Sequence, residues 1–113
     1  MRLWHKVLIN SLPYKQLLGQ YRECCAIAKS VGETGKPNHI LVNKVCNYPI
    51  EHFITYTETV CDALKERGYH ADKSIFYKYL HIPMNTVQKV SKADLFREWH
   101  NFRYLRQCYY NLL

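Results

Sequence analysis

Apolar residues recur with the period of an α-helix over three separate stretches of this chain. In the first, Leu17, Leu18, Tyr21, Cys25 and Ala28 share a stripe. The helix is expected to begin near Ser11-Leu12-Pro13, where Ser11 can cap the free amides and a proline is tolerated in the first turn, and to fade by Gly32. Gln16, Gln20 and Glu23 fall on another, polar face. The second helix is expected from Pro49 to near Gly68, since proline suits the first turn and glycine the residue after the end. Ile50, Phe53, Ile54, Val60 and Leu64 supply its apolar face, with Thr57 and Cys61 beside them. The third should run from about Lys92 to near the C-terminus, with Ser91 and Asp94 as a capping box in which Asp replaces Glu. Leu95, Trp99, Phe102 and Tyr109 make its stripe, which Arg106 interrupts; Lys92, Phe96 and Arg103 lie to one side. Between these, residues 32–38 (Gly-Glu-Thr-Gly-Lys-Pro-Asn) read as a loop. His39 to Cys46 is compatible with a strand, irregular structure or a helical turn, and Asp72 to Leu80 with a short helical turn that His81-Ile82-Pro83 ends. No repeat, low-complexity tract or linker is present. The expected architecture is mostly α: a single compact domain, residues 1–113, of three main helices with long connecting loops.

Charge narrows the function. Sixteen Lys and Arg against nine Asp and Glu leave a net charge of +7, which suits an anionic partner, most commonly nucleic acid; simple solubility is the ordinary alternative. The aromatic residues (two Trp, ten Tyr, four Phe) can stack on exposed bases, although most such rings belong in a core. Five cysteines, Cys24, Cys25, Cys46, Cys61 and Cys108, form no C-x-x-C pair and are expected to be small buried hydrophobes in a reducing compartment. The apolar N-terminal run is broken by His5, Lys6 and Asn10 and carries no small-residue cleavage site, so no signal peptide is expected; nor does any stretch reach membrane-helix length. A cytoplasmic, nucleoid-associated location with no membrane partner follows as the expectation. The six histidines show no H-x-x-x-H pair and no finger spacing with cysteine, so no metal site is expected. Neither a phosphate-cradling P-loop nor G-x-S-x-G occurs.

More specific is the run Leu17-Leu18-Gly19-Gln20-Tyr21-Arg22-Glu23, which resembles the first helix of the pyrimidine-dimer DNA glycosylases, the family that includes the endonuclease V of T-even phages. The opening Met1-Arg2-Leu3-Trp4-His5 and the run Gln16 to Cys25 are closer still to a bacterial branch. Further matches follow in order: Gly35-Lys36, His39, Val42-Asn43, Tyr48-Pro49, and Leu64-Lys65-Glu66-Arg67-Gly68-Tyr69-His70. Together they cover roughly residues 1–72; the rest is similar only in being helical and ending in aromatics, Tyr109 and Tyr110.

The resemblance implies a mechanism without metal or cofactor. The α-amine at the chain start attacks the anomeric carbon of the damaged nucleotide, the base leaves, and an imine forms. The imine acidifies the neighbouring sugar proton, and β-elimination breaks the strand. An α-amine with a pKa near 8 is partly neutral at pH 7, as a lysine near 10.4 is not. Arg2 is bulky enough to keep the initiator in place, which makes Met1 the expected nucleophile, with Glu23 as the catalytic carboxylate. Arg2 and Arg22 would hold phosphates, and Gln20 and Tyr21 would line the pocket, although Tyr21 also falls on the apolar stripe. His39 and Asn43 match a segment near the DNA. Ala26 stands where phage members carry an arginine, a contact that Lys29 or Lys36 would have to replace. The implied partner is lesion-containing double-stranded DNA, bound by a monomer. Two rivals stand beside this reading: a catalytically inactive DNA-binding module of the same fold, recognising distorted or modified DNA, and a protein-interaction module whose basic surface meets an acidic partner, which predicts little salt-sensitive DNA binding.

Overall fold

Pro49 and Gly68 frame the central helix. In the computed structural model, which describes residues 2–35 and 40–112, α2 spans Ile50–Glu66 with Pro49 as its N-cap. Its C-terminus closes as a Schellman turn: Gly68 takes φ +83°, its N–H donates to the Lys65 carbonyl (2.9 Å), and the Tyr69 N–H donates to the Leu64 carbonyl (3.0 Å). Every residue from Phe53 to Glu58 is buried, so α2 is covered all round and forms the middle of the core.

Before it runs α1 (Tyr14–Thr34), preceded by a short 3-10 helix (Lys6–Ser11). Pro13, not Ser11, is the N-cap of α1, and no side chain caps that end; Arg67 instead holds the approach, donating to the carbonyls of Leu12 (2.7 Å) and Asn10 (2.9 Å). The buried face of α1 is Leu17, Gln20, Cys24, Ile27 and Ala28. It is turned by one residue, about 100°, from the expected stripe, and Leu18, Tyr21 and Cys25 are only half-buried. Gln20, expected on the polar face, is thus a core residue. The helix also passes through Gly32 to end at Gly35 (φ +80°). Gly32 is a packing residue: a Cβ there would stand 2.0 Å from the carbonyl oxygen of Tyr79, on α3 (Lys73–Leu80). α3 is a full two-turn helix, capped by the Asp72 carboxylate on the Ser74 amide (3.0 Å). Ile40–Asn47 forms a second 3-10 helix, the helical alternative for that stretch.

The third main helix begins later than its pattern suggests. α4 spans Phe102–Leu112, with Asn101 accepting from the Tyr104 amide (2.9 Å). Residues 92–101 form turns. Half of the expected box forms: the Asp94 amide donates to Ser91 Oγ, but the Asp94 carboxylate accepts from the Ser91 hydroxyl and not from its amide. Phe96 then adopts φ +47°, which breaks the helix. Its ring is fully buried among those of Tyr48, His52, Tyr56, Trp99 and His100. The amides of Phe96 and Trp99 pair with His52 Nδ1 (3.1 Å) and the Tyr48 hydroxyl (3.0 Å) instead of helical carbonyls. Aromatic burial outweighs local propensity here. Phe102 and Tyr109, expected on the apolar stripe whose last turns Arg106 leaves only partly buried, are 72% and 53% exposed.

The result is a mostly α single globule with a radius of gyration of 13.1 Å. No strand occurs among the described residues, and no helix is long and apolar enough to cross a membrane. All five cysteines are free; Cys24, Cys61 and Cys108 are buried, Cys25 is half-buried, and Cys46, contrary to expectation, is exposed.

Candidate active site at the chain start

Residues 2–6 lie against α1, α2 and the C-terminal segment, and each of the five is held by a hydrogen bond. The Arg2 amide donates to Glu23 Oε2 (3.3 Å), and the Arg2 carbonyl accepts from Gln20 Nε2 (2.9 Å). The Leu3 carbonyl accepts from the Tyr104 hydroxyl (2.6 Å). At Trp4, the amide donates to Gln20 Oε1 (2.7 Å) and the carbonyl lies 2.6 Å from the Tyr56 hydroxyl. His5 Nε2 bonds the His100 carbonyl (2.9 Å), and the Lys6 amide donates to His100 Nδ1 (3.0 Å). The Lys6 ammonium reaches the carbonyls of Lys92 and Leu95, both at 2.6 Å, which the turns of that stretch leave without helical partners.

Gln20 is the hub. It is 1% exposed, and a buried carboxamide needs two donors and two acceptor sites matched. Its Nε2 donates to the Arg2 carbonyl and to Glu23 Oε2 (3.2 Å); its Oε1 accepts from the Trp4 amide and stands 2.9 Å from the Tyr56 hydroxyl, whose one proton is shared with the Trp4 carbonyl. A fully matched network of this kind rigidifies what it holds. Glu23 itself is half-buried, and its Oε2 collects two donors, the Arg2 amide and Gln20, which fix the carboxylate beside the chain start.

The imidazoles of His5 and His100 stack with centroids 5.1 Å apart. The Val7 amide donates to His5 Nδ1 (3.1 Å) and the Lys6 amide to His100 Nδ1, so both rings carry their proton on Nε2. Burial lowers the pKa of both and pushes His100 down to about 2. These rings are neutral wedges rather than proton carriers.

Of the other expected site residues, Arg2 and Arg22 are half-buried and exposed respectively. The Arg2 guanidinium lies 5.5 Å from the centre of the Trp4 ring. Arg22 makes no hydrogen bond or ion pair with any described residue. Tyr21 turns from Glu23: its hydroxyl donates to the Asp72 carbonyl (2.7 Å) and ties α1 to the start of α3. Asn43 is exposed on the second 3-10 helix, with no described contact to Glu23. Met1, Lys36 and His39 lie outside the described residues. Among the described residues no group of three His, Cys, Asp or Glu could hold a metal ion. Sequence reasoning missed Tyr56, Tyr104, His5 and His100. Only Tyr56 left a signal, a polar-tipped residue three after Phe53 and four before Val60 on the apolar face of α2.

Beside Arg2 opens a recess of about 410 Å³, lined by Arg2, Tyr104, Gln107, Tyr110 and Asn111. Gln107 and Tyr110 also line a neighbouring recess with Phe102, Arg103 and Arg106. A groove with cations and exposed rings thus runs from the chain start along α4.

Comparison with curated proteins and with solved structures returned no match. Residues 1–77, which hold Gln20, Glu23, Tyr56 and the segment they pin, match the model of the family described as pyrimidine dimer DNA glycosylase, and the chain belongs to that family.

Proposed function

We propose that a single domain, residues 1–113, acts as a monomer on duplex DNA containing a cyclobutane pyrimidine dimer or a related lesion, as a glycosylase with associated AP lyase activity whose nucleophile is the α-amine of Met1. The observation that carries this reading is the 3.3 Å approach of Glu23 Oε2 to the Arg2 amide. Residue 1 is joined to the chain through that nitrogen, so the carboxylate is held at the peptide bond that carries the proposed nucleophile. The amine attacks the anomeric carbon, and the base departs with the bonding pair and takes up a proton. The nitrogen lone pair then forms the carbon–nitrogen double bond as the bond from the anomeric carbon to the ring oxygen breaks, and that oxygen takes up a proton, leaving the opened sugar held as the imine. Glu23 stabilises the cationic sugar, then accepts the proton released beside the imine as the 3′ carbon–oxygen bond breaks.

The groove along α4 supports the same reading. Its recess at Arg2 is of a size suited to a small ligand, and a nucleotide must leave the stack to reach an amine. That costs a few kcal/mol, least where stacking is already poor, as at a crosslinked pyrimidine pair. Arg2 and Arg22 would hold the flanking phosphates, and Lys36, His39 and Asn43 would extend the contact. Tyr21 would help through the frame and Gln20 by holding the carboxylate.

The test is borohydride trapping of untagged protein on a duplex with one thymine dimer. A covalent adduct, absent after acetylation of the N-terminus, is the expected result. An adduct on abasic DNA alone would keep the lyase and reopen the identity of the base. No adduct on either duplex would overturn the enzyme reading in favour of a DNA-binding module. Glu23→Gln should abolish strand breakage and leave lesion binding within about twofold, since the amide keeps the volume and loses the charge.

A further inference from the structure

Two phenols grip consecutive carbonyls next to the chain start: Tyr104 takes Leu3 and Tyr56 takes Trp4, each at 2.6 Å. They come from different helices, α4 and α2. We infer that Tyr56 and Tyr104 are positioning residues for the amine reaction, fixing the backbone whose first residue carries the nucleophile. The inference rests on the proposed role of that amine.

A single hydrogen bond would leave residues 2–4 free to pivot. Two grips on adjacent peptide units, set by two helices, fix both the place and the direction of the segment, while Gln20 sets its height along α1 through the Arg2 carbonyl and the Trp4 amide. Neither phenol is hydrogen-bonded to Glu23; Tyr56 meets it only through Gln20 and through its charge, and Tyr104 takes no part in that network. Burial raises both above the ordinary phenol range, so each remains a donor at any working pH. Tyr104 lies beyond the matched residues 1–77, which makes the C-terminal helix a structural part of the site. The same helix lines the recess at Arg2 through Tyr104, Gln107 and Tyr110.

Attack on an anomeric carbon needs near-contact geometry, and a misplacement of about 1 Å can cost on the order of a hundredfold in rate. Removing one of two grips should therefore slow imine formation by roughly tenfold, and removing both by on the order of a hundredfold. The experiment compares wild type, Tyr56→Phe, Tyr104→Phe and the double variant by single-turnover trapping on abasic duplex over a range of DNA concentrations. Leu80→Ala, which opens the α1–α3 packing at a buried position, serves as a destabilised control, assayed below its melting temperature. Slower trapping at saturating DNA in the tyrosine variants, with half-saturation unchanged and the Leu80→Ala rate near wild type, is the expected result. Unchanged rates, a loss confined to DNA affinity, or an equal loss in Leu80→Ala would overturn the assignment. Tyr104→Phe, at a half-buried position, decides the matter should Tyr56→Phe fail to fold. If wild type gives no adduct, the amine reading falls and the positioning role with it; if wild type traps and the variants keep pace, the tyrosine assignment alone falls.

Discussion

Replacing Gln20 by leucine removes every polar contact of the hub while nearly keeping its volume. The buried carboxamide is matched by the Arg2 carbonyl, the Trp4 amide, Glu23 Oε2 and the Tyr56 hydroxyl. Tyr56 retains the Trp4 carbonyl, and Glu23 is half-buried and can turn to water. That leaves two backbone groups, the Arg2 carbonyl and the Trp4 amide, without their partner. A polar group stranded in a folded interior costs about 1–3 kcal/mol. Both contacts are only partly buried, so the low end applies and the sum is about 2–3 kcal/mol. For a chain between the small and medium size classes, this lowers the melting temperature by on the order of 10 °C. Thermal and urea unfolding followed by circular dichroism measure it, and an unchanged urea slope would show that the loss is native-state stability. A variant that melts within 2 °C of wild type would refute the claim that Gln20 organises the segment.

Two further outcomes follow from other parts of the fold. His100 titrates near 2 when folded and near 6.5 when unfolded, so the unfolded chain binds the extra proton between those values; its stabilising contribution is full above pH 6.5 and falls by about 1.4 kcal/mol per pH unit below it. His5 acts in the same direction. Urea midpoints at pH 8.0, 6.5 and 5.0 should therefore be level and then drop, and a flat profile would refute the buried neutral pair. Gly32→Ala should destabilise by about 1–3 kcal/mol, because the added carbon meets the backbone oxygen of Tyr79 and α3 must shift; calorimetry showing equal or greater stability would remove that contact from the account.

Legibility in the sequence followed how local each determinant was. α2 could be read because a proline, a glycine and an apolar face mark it within its own residues. The buried face of α1 is turned by one residue from its apolar stripe because it contains Gln20, whose partners other than Glu23 lie 16 to 36 residues away. Leu95 and Trp99 have helical spacing, yet the amides of Phe96 and Trp99 pair with His52 and Tyr48, 44 and 51 residues distant. Glu23 is legible as a candidate through the motif it sits in. Tyr56, Tyr104 and His100 act on the backbone of Leu3, Trp4 and Lys6, and a grip on a main-chain atom imposes no residue type on its target and leaves no pattern of spacing.

The stitching of the chain start to the last helix also sets an order of events. The bonds from Tyr104 to Leu3 and from the Lys6 amide to His100 span 101 and 94 residues. Contacts of that separation carry the largest loop-closure entropy in the chain, and they reward it only once the intervening helices are in place. During synthesis, residues 2–6 leave the ribosome well before α4 and have no complete seat until Tyr104 has emerged behind them. The segment nearest Glu23 is thus made early and docked late, so a chain interrupted before α4 would carry the motif of its family without the contacts that seat that segment.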